Sequence, residues 1–320
     1  MRGSPASQLL HVFKVSEINK IGNSKHKAKA EARAALAVEG RSATSAAIAE
    51  KTALYNFGTA ETYLDKWCEC GRYCRDEMNL KNMELLSGDH VWEYLLDKIE
   101  EGVSYSTWQG NAAALSKLES ALNLFSQKFV KGLVYSFRPA IDKLRPEAQS
   151  ELPRFEGTRQ YLAPDALTAA LNNPAHHLGA LLQHRGGVRV HEASLVLADQ
   201  LHGVTRDEYT GRSIGTYQYQ AKGGKLNKAK LPIEVYQLLE DHIKEHGQLS
   251  FSADVYRAEL KFAAKKTRQK YNGSHGLRWN YARERLSELL ANNISFEHAL
   301  GIVSSELSHN RIAITRHYTG

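Results

Sequence analysis

Apolar residues in the first part of the chain recur at the spacing of helices. Between residues 7 and 138 they fall three and four positions apart, as in the run Leu115, Leu118, Leu122 and Phe125. This spacing places apolar side chains on one face of a helix. No segment in this part alternates apolar and polar residues convincingly, as a half-buried strand would. We therefore predict a bundle of four or five helices.

Prolines then interrupt this pattern. Positions 139, 146, 153 and 164 are all proline, and charged residues lie between them. Such a composition is typical of a segment that joins two domains. The predicted organisation is a helical domain over residues 7–138, an interdomain linker over 139–157 and a second domain over 158–320.

One region of the second domain has the pattern of a β-hairpin. Tyr217 and Tyr219 alternate with polar residues, and Gly223 and Gly224 then turn the chain. On the return, the apolar positions are Ala229, Leu231 and Ile233. Helical spacing resumes from about Glu234. The predicted fold is an N-terminal all-α bundle followed by a mixed α/β domain, mostly helical with a small antiparallel sheet.

The composition is that of a folded globular protein, with 42% hydrophobic and 24% charged residues in a chain of 320. No apolar run is long and uncharged enough to span a membrane. Three cysteines, Cys68, Cys70 and Cys74, are too few for a disulfide framework and indicate a reducing compartment. Their spacing lacks the second pair of a zinc site, so we predict helix packing for them. The expected location is the cytoplasm.

Basic residues outnumber acidic ones by 42 to 35, and they are clustered. Residues 257–285 contain nine basic and two acidic side chains, and the return strand of the hairpin adds further lysines. Each such run alone is compatible with a solvated helix face, but several together indicate contact with a phosphate backbone. The predicted partner is a nucleic acid, and the family resemblance that follows implies that it is double-stranded DNA. The candidate DNA contacts are Lys225, Lys228, Lys230, Lys265, Lys266, Arg268 and Lys270.

Four segments of the second domain contain residues suited to phosphoryl transfer. They are Gly187–Ala193 (GVRVHEA), Ala221–Pro232 (AKGGKLNKAKLP), Ser274–Arg278 (SHGLR) and Leu307–Thr319 (LSHNRIAITRHYT). In this order they resemble the motifs of the tyrosine recombinases, the phage-integrase family of site-specific DNA recombinases. The helical first domain is similar to the core-DNA-binding domain of that family, with less specific motifs. The resemblance implies six catalytic residues and one supporting residue: Arg189, Lys222, His275, Arg278, His309 and Tyr318, with Glu192 in support.

The resemblance implies that two of these residues grip the phosphate. The guanidinium groups of Arg189 and Arg278 can each bind its non-bridging oxygens through two hydrogen bonds. His309 would add a further donor to the charge that grows during the reaction. Glu192 would orient Arg189 or support the fold.

The remaining catalytic residues would supply the nucleophile and move protons. Tyr318 would attack the phosphorus and form a 3′-phosphotyrosine link that conserves the energy of the bond for rejoining. Lys222 would protonate the leaving 5′-oxygen, and His275 would either accept the proton of the tyrosine or hold the phosphate. We expect no metal and no other cofactor, because the arginines and the lysine supply the positive charge.

Two positions differ from the family pattern. Ser308 stands where a glycine is common before the late histidine, and Trp279 follows Arg278 where a histidine is frequent. We predict that the ring of Trp279 packs and has no catalytic role.

The resulting hypothesis is a site-specific DNA recombinase or integrase of a phage or another mobile element. It would act as a homotetramer on two DNA sites, would be a monomer or dimer when free, and could take an accessory directionality factor. Two alternatives stay open: a type IB topoisomerase-like enzyme with the same chemistry, and a DNA-binding protein without catalytic activity.

Overall fold

A computed structural model describes residues 1–221, 225–308, 315, 316 and 318. The chain divides into two compact units, Met1–Glu156 and Gly157–Gly320. Among the described residues, none of the helices has both the length and the apolar character needed to cross a bilayer.

The first unit is entirely helical, apart from a single bridge between Asn19 and Leu54. Most of its helices begin at a serine, threonine or asparagine whose side chain accepts a hydrogen bond from the first turn. The helices are α1 (Pro5–Val15), α2 (Lys25–Val38), α3 (Ser45–Glu50), α4 (Phe57–Met78), α5 (Gly88–Glu100), α6 (Tyr105–Lys128) and α7 (Arg138–Glu151).

Two buried tryptophans anchor the core of this unit. The indole N–H of Trp67 donates to the carbonyl oxygen of Ala114 at 2.7 Å, and that of Trp108 donates to Leu95 at 3.0 Å. Both rings are fully buried, so their polar groups need these partners. Two of the three cysteines, Cys70 and Cys74, are also buried on α4, in agreement with the predicted helix packing.

Helix α7 occupies most of the segment that the sequence analysis assigned to a linker. Proline is compatible with the first turn of a helix, where Pro139 lies, because its missing N–H would have no intrahelical partner there. Ile141, Leu144 and Ala148 are buried on one face of α7, although Pro146 removes one backbone hydrogen bond inside it. The boundary between the units falls at residues 156 and 157 rather than over 139–157.

The second unit is mixed, as predicted. Its described helices are α8 (Pro164–Ala169), α9 (Pro174–Gly186), α10 (Val190–Ala193), α11 (Ile233–His246), α12 (Ala253–Lys266), α13 (His275–Ala291) and α14 (Phe296–Glu306). Its described strands are β1 (Leu195–Leu197), β2 (Leu201–Arg206), β3 (Ser213–Gln220), β4 (Leu226–Pro232) and β5 (Gln248–Ser250). The strands form an antiparallel sheet in the order β2-β3-β4 and a separate antiparallel pair, β1-β5. The predicted fold class is confirmed.

The β3–β4 hairpin forms where the alternating pattern predicted it. Tyr217 pairs with Ala229 and Gly215 with Leu231, and the side chains of Tyr217, Ala229 and Leu231 lie in the core with α11. Ile233 was predicted to continue the second strand, but it begins α11, because the chain leaves the sheet at Pro232. Strands β1, β2 and β5 were not predicted. Two of them have only three residues, and the side chains of β2 are mostly exposed.

Gly215 provides a test of this packing. A Cβ atom on residue 215 would overlap Cγ of Tyr236, which is fixed to the backbone of α11. We expect Gly215→Ala to lower the free energy of unfolding by about 1–3 kcal/mol, as overpacked cores do. Thermal unfolding followed by circular dichroism measures this loss. Gly301→Ala on α14 is the matched control, since a Cβ there meets nothing within 4 Å. It should raise stability by about 0.5–1 kcal/mol, and equal behaviour of the two variants would contradict the predicted packing.

Candidate active site

The first arginine follows a tight exit from α9. Gly187 ends that helix with a positive φ of 66°, and a Cβ on it would overlap the ring of Tyr281, so glycine is required on two grounds. Arg189 then caps the single turn of α10 in an extended conformation. The carboxylate of Glu192 accepts from the backbone N–H of Arg189 at 2.7 Å and from its Nη1 at 2.8 Å. The nearly buried Glu192 therefore fixes the guanidinium group of a side chain that is 26% exposed.

The second arginine reaches into the interior from the first turn of α13. Arg278 is fully buried, and its two terminal nitrogens donate to the carbonyl oxygens of Gly187 and Leu307. Its Nη1 also lies 3.9 Å from Oε2 of Glu192. Burial and the charge of Arg189 lower the pKa of this guanidinium. One side chain thus connects α13 with the segment of the first arginine and with the end of α14.

Tyr318 is held by two residues of α13. Its hydroxyl group and Nε2 of His275 form a hydrogen bond, and its ring is stacked on Trp279 with centroids 4.8 Å apart and planes 24° apart. The phenol ring is only 7% exposed. Trp279 packs, as predicted, but it packs directly on the predicted nucleophile and so orients it.

The protonation state of His275 follows from its surroundings. Burial, followed by the positive charges of Arg278, Arg189 and Arg159, lowers its pKa to about 4. The imidazole is therefore neutral at pH 7 and has one nitrogen that can accept a proton. Nε2 faces the hydroxyl group of Tyr318, so the tautomer that carries its proton on Nδ1 can accept the proton of that hydroxyl.

The structure thus brings together five of the seven predicted catalytic and supporting residues: Arg189, Glu192, His275, Arg278 and Tyr318. The other two, Lys222 and His309, lie outside the described residues. Within the part of the chain that the structure describes, no group of three or more His, Cys, Asp or Glu side chains could hold a metal ion.

Most of the predicted DNA contacts are exposed. They are Lys225 and Lys228 at the hairpin, and Lys265, Lys266, Arg268 and Lys270 between the last turn of α12 and the start of α13. The second group lies on the segment that leads to His275. Lys230 differs from these. Its Nζ lies 3.3 Å from Asp207 and 3.2 Å from Glu306, so its charge is compensated within the domain and does not fit the predicted DNA contact.

Lys230 belongs to a cluster of ionised groups that the sequence analysis missed. At its centre the buried Arg285 pairs with Asp207 at 2.7 Å and with Glu306 at 3.0 Å, and Tyr281 donates to Glu306 at 2.9 Å. Burial alone would raise the pKa of Asp207, but Arg285 and Lys230 lower it to about 2. The one signal in the sequence is the spacing of Arg285, seven residues after Arg278 and so on the same helical face.

Comparison with known proteins depends on solved structures, since no protein-family model and no curated protein sequence matches the chain. The XerH site-specific recombinase bound to its palindromic difH substrate is 16% identical, with a TM-score of 0.60 over 99% of this chain and 93% of that one. The Tn1549 transposon integrase in complex with circular intermediate DNA is 14% identical, with a TM-score of 0.54 over 98% of this chain and 95% of that one. The chain has the tyrosine-recombinase fold. At such identities the similarity establishes the recombinase fold, and the roles of individual residues depend on the geometry of this chain.

The titration of His275 tests the electrostatics of this recombinase-fold site. In the free protein we expect its imidazole to titrate with a midpoint near pH 4, measured by NMR of the labelled ring. An unfolded histidine titrates near 6.5, so between pH 6.5 and 4 the unfolded state binds more protons than the folded state does. The free energy of unfolding should therefore fall as the pH drops from about 6.5 toward 4. Arg189→Gln should move the midpoint upward, since it removes one repelling charge. A wild-type midpoint near 6.5 would contradict the proposed environment.

Proposed function

We propose that this protein is a site-specific DNA recombinase or integrase that cuts and rejoins DNA through a 3′-phosphotyrosine link on Tyr318. The observation that carries the proposal is the hydrogen bond between this phenol and a neutral His275, in a site that also contains Arg189 and Arg278. A tyrosine, a proton acceptor and two guanidinium groups are the components that phosphoryl transfer to a phenol needs.

The arginines supply the charge for the transition state. Negative charge grows on the non-bridging oxygens as the nucleophile approaches phosphorus, and preorganised donors stabilise it more than they stabilise the substrate. Arg189 is partly open to solvent and fixed by Glu192, which suits direct contact with the phosphate. Arg278 supports the same site from the interior. The reaction proposed here needs no metal ion.

The reaction balances without an external energy source. The oxygen of Tyr318 attacks the phosphorus, and its proton passes to His275. The bond between phosphorus and the 5′-oxygen breaks, and the 5′-oxygen takes a proton from Lys222. One phosphodiester is exchanged for another, so the reverse steps with a new 5′-hydroxyl rejoin the DNA.

Exposed basic residues would hold the duplex near this site. Those between Lys265 and Lys270 lie next to the start of α13, and Lys225 and Lys228 lie at the hairpin. Each neutralised phosphate releases counterions, so DNA affinity should fall steeply with salt. Assembly as a tetramer on two DNA sites would bring the strands to be exchanged together.

Covalent trapping tests the enzyme proposal. The probe is a set of nicked duplexes that tile the DNA flanking the gene, because a nick near the cleavage point lets the short 5′-hydroxyl strand diffuse away. We expect an adduct between protein and DNA that survives SDS, forms in EDTA and is absent in Tyr318→Phe. Tyr271→Phe, which alters a half-buried tyrosine in another cluster of the same domain, should form the adduct normally.

Absence of an adduct from the wild-type protein on all duplexes would overturn the enzyme proposal and leave a DNA-binding role. Where adducts form, sequencing them gives the target site. Exchange of strands between two labelled duplexes that carry this site is expected for a recombinase. Relaxation of supercoiled DNA without exchange would instead identify a topoisomerase.

The proposed role of Lys222 has a separate test. We expect Lys222→Ala to slow cleavage by about 10²–10⁴-fold, the usual contribution of a general acid, while DNA affinity changes little. A substrate with a 5′-bridging sulfur should restore the rate, because a thiolate leaves without a proton far more readily than an alkoxide. Gel-resolved cleavage and a binding titration measure the two quantities. Equal losses in affinity and cleavage would show that Lys222 only contacts phosphate.

A further inference from the structure

We propose that Asn227 is a positioning residue that docks the β3–β4 hairpin on the end of α14 and thereby sets Lys222 relative to the nucleophile. This inference rests on the proposed function and names a residue that carries no reacting group itself. Its basis is a set of contacts between the hairpin and the segment that leads to Tyr318.

Asn227 bonds to the C-terminal end of α14 from a different part of the chain. Its Nδ2 lies 3.3 Å from the carbonyl oxygen of Ser305, 3.2 Å from that of Glu306 and 2.5 Å from Oγ of Ser308. The last carbonyl groups of a helix have no intrahelical donor, so an amide from outside is a suitable cap. Because Asn227 is near the start of β4, this cap attaches the hairpin to the helix end.

The orientation of the amide is fixed by its other end. Oδ1 of Asn227 accepts from the backbone N–H of Lys228 at 2.9 Å, so the oxygen is on that side and the nitrogen faces the carbonyl groups of α14. Nδ2 also lies 3.1 Å from the hydroxyl oxygen of Tyr219, which pairs with Asn227 across the two strands. Both strands of the hairpin therefore take part in the contact.

Ser308 indicates that this contact has a role beyond closing the helix. Its φ is +52°, in the left-handed region that favours glycine, and glycine is the common residue here in the family that the sequence resembles. A serine accepts the backbone strain but adds a hydroxyl group. That hydroxyl bonds to Asn227 and lies 3.4 Å from the hydroxyl of Tyr219. Ser308 therefore combines a strained backbone with a link to the hairpin.

The segment held by Asn227 is also held from the opposite direction. Leu307, between Glu306 and Ser308, accepts a hydrogen bond from Arg278 through its carbonyl oxygen. Along the chain, the last strand pair before Lys222 is Gln220 with Leu226, directly next to Asn227. The docking of Asn227 on α14 is therefore a restraint on the described strand ends from which the chain continues to Lys222.

The test compares two leaving groups on the DNA site recovered from the adducts. Asn227→Asp keeps the shape of the side chain and the acceptor for Lys228, but it replaces the donor that faces α14. We expect it to slow cleavage of the ordinary 5′-oxygen substrate by about 10–100-fold, part of the contribution of the general acid. Cleavage of the 5′-bridging sulfur substrate should stay within about twofold of wild type, because that leaving group bypasses Lys222.

Asn292→Asp is the matched control, since it removes a donor to the carbonyl oxygen of Glu288 at the end of α13, away from the hairpin. It should cut both substrates at wild-type rates. Equal slowing of both substrates by Asn227→Asp would show a merely structural role, and unchanged rates would show no role; either result overturns the inference.

Ser308→Gly keeps the test decisive if Asn227→Asp does not fold. This variant relieves the left-handed strain and removes only the hydroxyl link, so it should fold at least as stably as the wild type. Its cleavage rate should fall less than that of Asn227→Asp, and only on the 5′-oxygen substrate. Wild-type rates on both substrates would then contradict the inference. If wild-type protein forms no adduct with either substrate, the proposed function itself fails, and this inference fails with it.

Discussion

Arg278 extends from the first turn of α13 into the interior and donates hydrogen bonds to the carbonyl oxygens of Gly187 and Leu307. Burying a guanidinium group costs free energy unless hydrogen-bond acceptors surround it. The two carbonyl oxygens must therefore lie where the guanidinium group of Arg278 can reach them. The acceptors belong to segments far apart in the chain. The position of Arg189 after Gly187, and the path of the chain after Leu307, therefore both depend on this one side chain.

A second layer of charge lies behind the first on the same helix. Arg285, seven residues further along α13, pairs with Asp207 and Glu306, and Lys230 of β4 joins the same carboxylates. Buried ion pairs of this kind contribute little net stability, because desolvation offsets their attraction. These pairs nevertheless restrict the distances and angles between their groups. They therefore restrict Glu306, which lies at the start of the segment that Arg278 and Asn227 hold. A rigid supporting layer is what a site needs when its donors must be in place before the substrate arrives.

The sequence was sufficient to group the residues of the site, but not to predict the contacts that hold them in place. Arg189, His275, Arg278 and Tyr318 could be grouped because their motifs, in this order, resemble those of the tyrosine recombinases. The same reasoning misassigned Lys230, since a lysine on a basic strand looks like a DNA contact until its carboxylate neighbours are known. The stacking of Trp279 on Tyr318 and the bonds of Asn227 could not be predicted either. Each depends on which elements meet in three dimensions, and neither residue type indicates its partner.

The charges of the site also link the basicity of His275 to the presence of DNA. Burial, followed by the charges of Arg278 and Arg189, lowers the pKa of His275 to about 4, so its imidazole is a weak proton acceptor for a phenol. A phosphodiester bound by the partly exposed Arg189 brings negative charge near His275, which favours the protonated imidazole and so raises its pKa. The substrate itself would then strengthen the base that activates Tyr318. In the proposed reaction, proton transfer from the nucleophile is thus coupled to occupation of the phosphate site, which restricts attack to a phosphate that Arg189 already holds.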